Sequence, residues 1–316
     1  MMRTIVKAEE KQSINGILLV NKPLGMTSNA VLQKVKRLLN AKKAGHTGSL
    51  DPMATGMLPI CFGEATKFCQ YLLDADKCYE TTGRLGVKTT TGDATGQIIC
   101  QLDDFLVDEQ QLRSVLEQFK GKINQIPSMY SALKFQGTPL YKYARAGVEI
   151  ARVPREVTIY QLQLNSFHGT DFCLTVSCSK GTYIRNLVED IGAQLGVNAH
   201  VMSLHRNYCA GFADEPMYSI DELTKQSMLQ RQACLLPIER AVSYLPKLVL
   251  TSEEVQVLRY GKILNNIDAH AMRGHVRLYH QEQDREFIGL GEINELGIIK
   301  VKRLLSEDLV NHSITY

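Results

Sequence analysis

Thirteen residues, 44–56 (AGHTGSLDPMATG), constrain this chain more than any other stretch. They are rich in glycine, serine, threonine and aspartate and carry no apolar period. Neither an amphipathic helix nor an alternating strand is expected from them, so they read as a loop. Before them stands a short apolar strand, 16–20 (GILLV), bounded by Asn21-Lys22-Pro23. A helix follows it: Thr27 or Ser28 caps it, Val31, Leu32, Val35, Leu38 and Leu39 form its apolar face, and Asn40 closes it. Strand-like 58–62 comes directly after the loop. Gly45, Gly48 and Gly56 let the backbone turn tightly and approach a ligand closely. Between them His46, Thr47, Ser49 and Asp51 are presented. Asp51-Pro52 suits a catalytic carboxylate on a stiffened backbone, but local sequence alone favours the commoner arrangement, a helix cap with proline at the first helical position.

The rest of the chain alternates strands and helices without an internal repeat. A strand is expected around 78–85, then a polar stretch at 88–96 (KTTTGDATG). Leu112, Val115, Leu116 and Phe119 mark an amphipathic helix. Phe172, Leu174, Val176 and Cys178 alternate as a strand. A turn at 179–182 leads into a helix through Leu187, Val188, Ile191 and Leu195. Composition shifts near Pro246; beyond it Ser252 is expected to cap a short helix, and strands are expected at 276–280, 287–293 and 298–305. The division this suggests is a tail, 1–13, a large α+β domain, 14–246, and a separate small β-rich domain, 247–316.

Composition bounds the class of protein. Of 316 residues 44% are hydrophobic and 22% charged, an ordinary globular balance with ample core. The longest apolar runs are far too short to span a membrane. The N-terminal residues lack the apolar core of a secretory signal, so a cytoplasmic protein is expected. The eight cysteines include no CxxC pair and no zinc-finger spacing; they read as small buried residues in a reducing compartment. Net charge is only +3, but its distribution is uneven. Residues 1–50 hold nine Lys or Arg against Glu9 and Glu10. Residues 119–155 hold Lys120, Lys122, Lys134, Lys142, Arg145, Arg152 and Arg155 against Glu149, interleaved with Tyr130, Phe135, Tyr141 and Tyr143. Cations beside flat rings suit a phosphate backbone with unstacked bases, and suit a solvated basic face as well.

Four motifs in fixed order carry a resemblance: 16–28 (GILLVNKPLGMTS), 45–60 (GHTGSLDPMATGMLPI), 126–133 (IPSMYSAL) and 179–187 (SKGTYIRNL). Together they resemble the bacterial tRNA pseudouridine-55 synthases of the TruB type, over about residues 16–246. The C-terminal part resembles the small RNA-binding PUA barrel that often follows this catalytic domain. The resemblance implies a mixed, largely antiparallel sheet, with 119–155 as an RNA-gripping insertion. It implies that Asp51 is the essential carboxylate, that Arg185 grips it with its planar fork, and that Tyr183 lies beside the base. Tyr79 is implied to stack on the target uracil and Leu204 to pack on the other side. His46 is implied to enter the space left by the extruded nucleotide, while Lys22 and Pro23 brace the site from beneath, with Lys22 counted among the substrate-binding set. Where the family has two adjacent arginines, this chain has His205-Arg206.

An isomerisation needs no cofactor and no metal, and neither a P-loop nor a dinucleotide fingerprint is present. The expected partner is the T arm of tRNA, with no membrane, no obligatory protein partner and a monomeric enzyme. Three other readings compete: a synthase guided by a small RNA within a multi-protein particle, a non-catalytic RNA-binding or RNA-folding protein, and an enzyme for a free nucleoside. The basic-aromatic insertion and the extra domain argue against the last.

Overall fold

The computed structural model describes residues 10–209, 211–265, 272–281 and 286–306. Most of the expected tail, and residues 307–316 of the expected C-terminal domain, lie outside the described residues. β1 (Gly16–Lys22) is buried along nearly all its length and pairs antiparallel with β3 (Ala54–Phe62). Between them run α1 (Ser28–Leu38) and β2 (Ala44–His46). Thr27 caps α1 by accepting from the Ala30 amide, and Asn40 takes the left-handed conformation just past its end.

The expected loop at 44–56 is shorter than the sequence suggested. Its first three residues form β2, which pairs with Phe62–Ile60 of β3, and its last three already belong to β3. Backbone pairing on a sheet needs no side-chain alternation, so glycine-rich 44–46 joins without an apolar signal. What remains is 47–53.

The sheet is completed by β4 (Lys77–Leu85), β7 (Gly121–Gln125), β10 (Arg155–His168), β11 (Asp171–Cys178), β12 (Ala199–Cys209) and β13 (Tyr218–Ser219). Its order is β13-β1-β3-β12-β4-β11-β10-β7, with β2 added on β3. Every pairing is antiparallel except β1–β13 and β3–β12. The β3–β12 contact is brief: Leu204–Ala54, His205–Thr55 and Arg206–Gly56. Gly56 is required there, since a β-carbon would lie 2.3 Å from the Arg206 carbonyl oxygen.

The longest strand, β10, leaves little trace in the sequence. Register shifts at 159/161 and 164/166 break the two-residue period that would have revealed it. β7 also corrects an expectation: residues 121–125 are the sheet's edge strand, pairing with 155–159, so the insertion spans only the residues between. It holds a small hairpin, β8 (Lys134–Phe135) with β9 (Thr138–Pro139), and one helical turn and a half, α4 (Leu140–Arg145).

On one face of the sheet α3 (Glu109–Gln118) and α5 (Ile184–Gln194) cover a core that includes Leu112, Leu116, Phe172, Leu174, Leu187, Ile191 and Val201. A hairpin of β5 (Val87–Thr89) and β6 (Ile98–Gln101) leads into α3. Leu18, Val20, Leu58 and Ile60 of β1 and β3 pack under α1, α6 (Ile220–Lys225) and α7 (Met228–Ala233), while the alternate residues Ile17, Leu19, Met57 and Cys61 face the opposite side, where α2 (Cys69–Leu73) and its connections cover them.

The C-terminal sheet runs β14-β16-β17-β18-β15, from β14 (Lys247–Leu250), β15 (Leu264–Asn265), β16 (Gly274–His280), β17 (Glu286–Ile293) and β18 (Ile298–Leu304). Its helix α8 (Ser252–Arg259) is capped by Thr251, not Ser252: Thr251 accepts from the Glu254 amide and Glu254 answers in a capping box. Leu250, Val255, Leu258, Val276 and Ile299 form its own core. It also packs on the large module. Tyr279, Phe287, Leu290 and Leu305 pack with Ile17, Leu19, Met57 and Phe68 of the large module. All eight cysteines are free; Cys61, Cys78, Cys178 and Cys209 are buried, whereas Cys100 is exposed. No described helix is long and apolar enough to cross a membrane.

Candidate active site

The seven residues 47–53 have no regular structure, yet nearly every one is held. The Thr47 amide and hydroxyl both donate to the Pro59 carbonyl, at 3.0 and 3.4 Å. Ser28, the first residue of α1, accepts from the Leu50 amide at 2.8 Å and donates to the Leu50 carbonyl at 3.0 Å. The Gly25 amide donates to the Pro52 carbonyl at 2.8 Å. Lys22 is fully buried, and its ammonium donates to the carbonyls of Met26, Pro23 and Pro52. Lys22 therefore braces the loop from below.

The far side is held by Arg206, only 1% exposed. Its Nε donates to the Met57 carbonyl at 2.7 Å and Nη2 to the Gly48 carbonyl at 3.0 Å. It also reaches the Tyr79 hydroxyl across the β12–β4 ladder, where Arg206 stands opposite Tyr79. His205, beside it, pairs with Thr55 at 2.8 Å. The two residues of that dipeptide thus differ in role: Arg206 is an internal strut, while His205 fastens β12 to β3.

Asp51 caps no helix. Its carbonyl accepts from the Ala54 amide at 3.0 Å, closing a turn straight into β3, and its carboxylate faces Arg185 on the first turn of α5. Arg185 Nε lies 3.0 Å from Asp51 Oδ2. The two-point fork expected from the sequence is not what forms. Nη1 donates to the Thr91 carbonyl at 2.6 Å and approaches Asp93 at 3.6 Å, while Nη2 donates to the Tyr130 carbonyl at 2.8 Å. Asp93 was missed in the sequence, although Thr91 and Thr95 around it signal an aspartate that bonds its own turn. Its Oδ1 accepts from both of those hydroxyls and from the Thr95 amide.

Two carboxylates, one guanidinium and one ammonium therefore share a site in which positive and negative charges balance. Burial raises the Asp51 pKa and Asp93 adds to that, while the charges of Arg185 and Lys22 oppose it. The Lys22 ammonium is pushed down to about 8, chiefly by burial, with Asp51 working the other way.

The remaining site residues fall around this cluster. Tyr79 and Leu204 share one apolar core with Leu50, Met53 and Ala54 on either side of Asp51. Burial pushes the Tyr79 phenol up to about 12, so it is neutral at all working pH values. Tyr183 caps α5; its phenol is raised by burial and by Asp51, and eased down by Ser131 and Arg155. His46 ends β2, with its pKa lowered first by burial and then by Arg206. Its Nδ1 is buried without a partner. Among the described residues no group of three or more His, Cys, Asp or Glu could hold a metal ion.

Of the cations between 119 and 155, Lys120, Lys122 and Arg152 are committed to Glu117, Glu156 and Glu149. Glu117 and Glu156 lie just outside the window in which the charges were counted. Lys134, Lys142 and Arg145 are exposed and in no described ion pair. Arg145 stacks over Tyr141, and Phe135 meets Tyr143 edge-on.

Fold and site together define a pseudouridylate synthase. Residues 36–184 match the description "TruB family pseudouridylate synthase (N terminal domain)", 185–243 match "tRNA pseudouridylate synthase B C-terminal domain", and 246–305 match "Pseudouridine synthase II TruB, C-terminal". The chain belongs to the TruB family. A relative from Legionella pneumophila subsp. pneumophila (strain Philadelphia 1), called tRNA pseudouridine synthase B, is 56% identical over 94% of this chain and 98% of its own length. One from Pasteurella multocida with the same name is 45% identical over 94% and 97%. Among solved structures, that of a Cbf5-Nop10-Gar1 complex matches with a TM-score of 0.73 and 27% identity, over 93% of this chain and 86% of that one.

Proposed function

We propose that the chain isomerises the T-loop uridine of tRNA, position 55, to pseudouridine, with Asp51 as the reacting carboxylate. The observation that carries this reading is a difference in exposure. Of the four charges in the site, Arg185 and Asp93 have side chains 5% exposed and Lys22 is 0% exposed, while the Asp51 side chain is 39% open. Three buried charges are spent on holding the one that a substrate can reach.

The reaction breaks the N1–C1′ bond, turns the base and joins C5 to C1′; a proton leaves C5 and one is taken up at N1. Asp51 adds to the sugar or base, or takes a ribose proton, and its ionised form serves either path. Reaching a stacked uridine requires flipping it out, which costs a few kcal/mol. A neutral His46 ring suits the vacated space, and Tyr79 and Leu204 suit the two faces of the flipped base. Tyr183, a neutral phenol beside Asp51, can accept the C5 proton only as it passes its own onward. The exposed cations Lys134, Lys142 and Arg145 suit the phosphates of the T arm, and the C-terminal sheet, as a PUA-like unit, extends the grip toward the acceptor end. The enzyme acts as a monomer without a protein partner.

Tritium release from a tRNA transcript labelled at uridine C5, in EDTA and without added cofactor, tests the reading. Release by wild type, none by Asp51→Asn, and none from a transcript with cytidine at position 55 is the expected result. No release by wild type that still binds tRNA would shift the reading to a guided synthase or a binding protein.

A further inference from the structure

The root of the insertion is sewn to the start of α5. Gln125, the last residue of β7, is 2% exposed. Its Oε1 accepts from the Tyr183 amide at 3.0 Å and its Nε2 donates to the Tyr183 carbonyl at 3.2 Å. One side-chain amide thus copies both bonds of a ladder pair. Tyr183 is the N-cap of α5 but has no side-chain acceptor of its own, so Gln125 supplies from outside the order that a serine or aspartate cap would supply from within. Two further stitches run alongside. Asn186 Nδ2 donates to the Ile126 carbonyl at 2.8 Å, and Arg185 Nη2 to the Tyr130 carbonyl at 2.8 Å. In this way the residues at 125, 126 and 130 contact those at 183, 185 and 186. The tip of the insertion is held mostly by itself, as in the Leu140 amide bonded to the Leu133 carbonyl and the Tyr141 amide bonded to the Ser131 carbonyl.

We infer that Gln125 is a positioning residue for the isomerisation, fixing the backbone of Tyr183 and, through the adjoining turn, the Arg185 guanidinium that faces Asp51. The inference rests on the reading of Asp51, Tyr183 and Arg185 given above. A backbone shift at 183 moves both side chains at once, and small misplacements of reacting groups cost large factors in rate.

The test is single-turnover tritium release by full-length Gln125→Ala at saturating tRNA, with tRNA affinity measured on the same protein. The rate is expected to fall about tenfold or more while affinity stays within about threefold. The acid limb of the pH–rate profile is expected to move upward, because a looser Arg185 opposes the raised Asp51 pKa less well. A rate within twofold of wild type overturns the proposal, as does a loss of rate matched by an equal loss of affinity. If Gln125→Ala does not fold, Asn186→Ala cuts the parallel stitch at a half-exposed side chain; a rate a few-fold lower with binding kept is expected, and an unchanged rate overturns the proposal. Wild type that releases no tritium, or Asp51→Asn that releases it normally, sinks the underlying functional reading instead.

Discussion

Two irregular segments, 47–53 and the insertion after β7, look alike as sequence and differ in how they are held. Neither has an apolar period. The first is pinned at Thr47, Gly48, Leu50 and Pro52 by Ser28, Gly25, Lys22, Arg206 and the Pro59 carbonyl, several of them fully buried. The second is tied to the sheet at its root, and its tip, from Lys134 to Gln136, is exposed. The comparison separates two tasks. A carboxylate that reacts must be set in place before the substrate arrives, so its loop is fixed by buried polar bonds. A segment that grips phosphates needs reach and free cations more than fixed geometry.

The sharpest way to break this comparison is at Asp51. Asp51→Asn is expected to cut tritium release by about 10²-fold or more without weakening tRNA binding. Equal activity would mean that the pinned loop presents something else. Next comes the pinning itself. Arg206→Met strands the Gly48 and Met57 carbonyls and frees the Tyr79 hydroxyl, and a loss of ~2–4 kcal/mol in unfolding free energy is expected in a denaturant titration. A loss under 0.5 kcal/mol, the scale of surface substitutions, would show that the strut is dispensable. The insertion should behave oppositely. Replacing Lys134, Lys142 and Arg145 together by alanine is expected to leave the saturated rate and the stability nearly unchanged. The slope of log affinity against log salt should fall by roughly two to three, one per lost phosphate contact at most. An unchanged slope would remove the insertion from RNA binding.

What the sequence made legible follows the same division. Elements with one buried face, such as the helix under Val31 and Val35 and the strand Phe172 to Cys178, carry their period openly, and 16–20, buried on both faces, shows as an unbroken apolar run; the structure has all three. β10 was hidden because its bulges break the period, and β2 because three residues paired through backbone alone leave no side-chain signal. In the site, Asp51, Tyr79, Tyr183, Arg185, His46, Lys22 and Leu204 were named from motif resemblance; the structure pairs Asp51 with Arg185 and sets Tyr79 and Leu204 in one core with Leu50, Met53 and Ala54. The supporting residues Ser28, Asp93, Gln125 and Arg206 were not named as such. Each acts through polar bonds or charge on a distant part of the chain, and sequence neighbourhood carries no record of a contact between residues 125 and 183 or 206 and 48. Asp93 alone left a local trace, in its flanking threonines.

The smallest expected effect is the one that shows what a reactive carboxylate costs the fold. Burial holds the Asp51 pKa above its ordinary 3.8, so the folded protein keeps the proton more tightly than the unfolded chain does. The stability linked to that proton is fully present below 3.8 and is lost as pH rises through the folded value. At neutral pH the ionised carboxylate is then a net cost, even with Arg185 at 3.0 Å. Asp51→Asn, neutral throughout, is therefore expected to melt slightly higher than wild type at pH 7, by up to a few degrees, with the gap closing toward pH 4. Lys22→Met should widen the gap at neutral pH, because the buried ammonium is one of the two charges that favour ionised Asp51. Thermal midpoints of wild type, Asp51→Asn, Lys22→Met and the double variant across pH 4 to 8 measure this directly. If Asp51→Asn melts lower than wild type at every pH, the Arg185 pair outweighs burial, and the loop would be held by its carboxylate as much as it holds it.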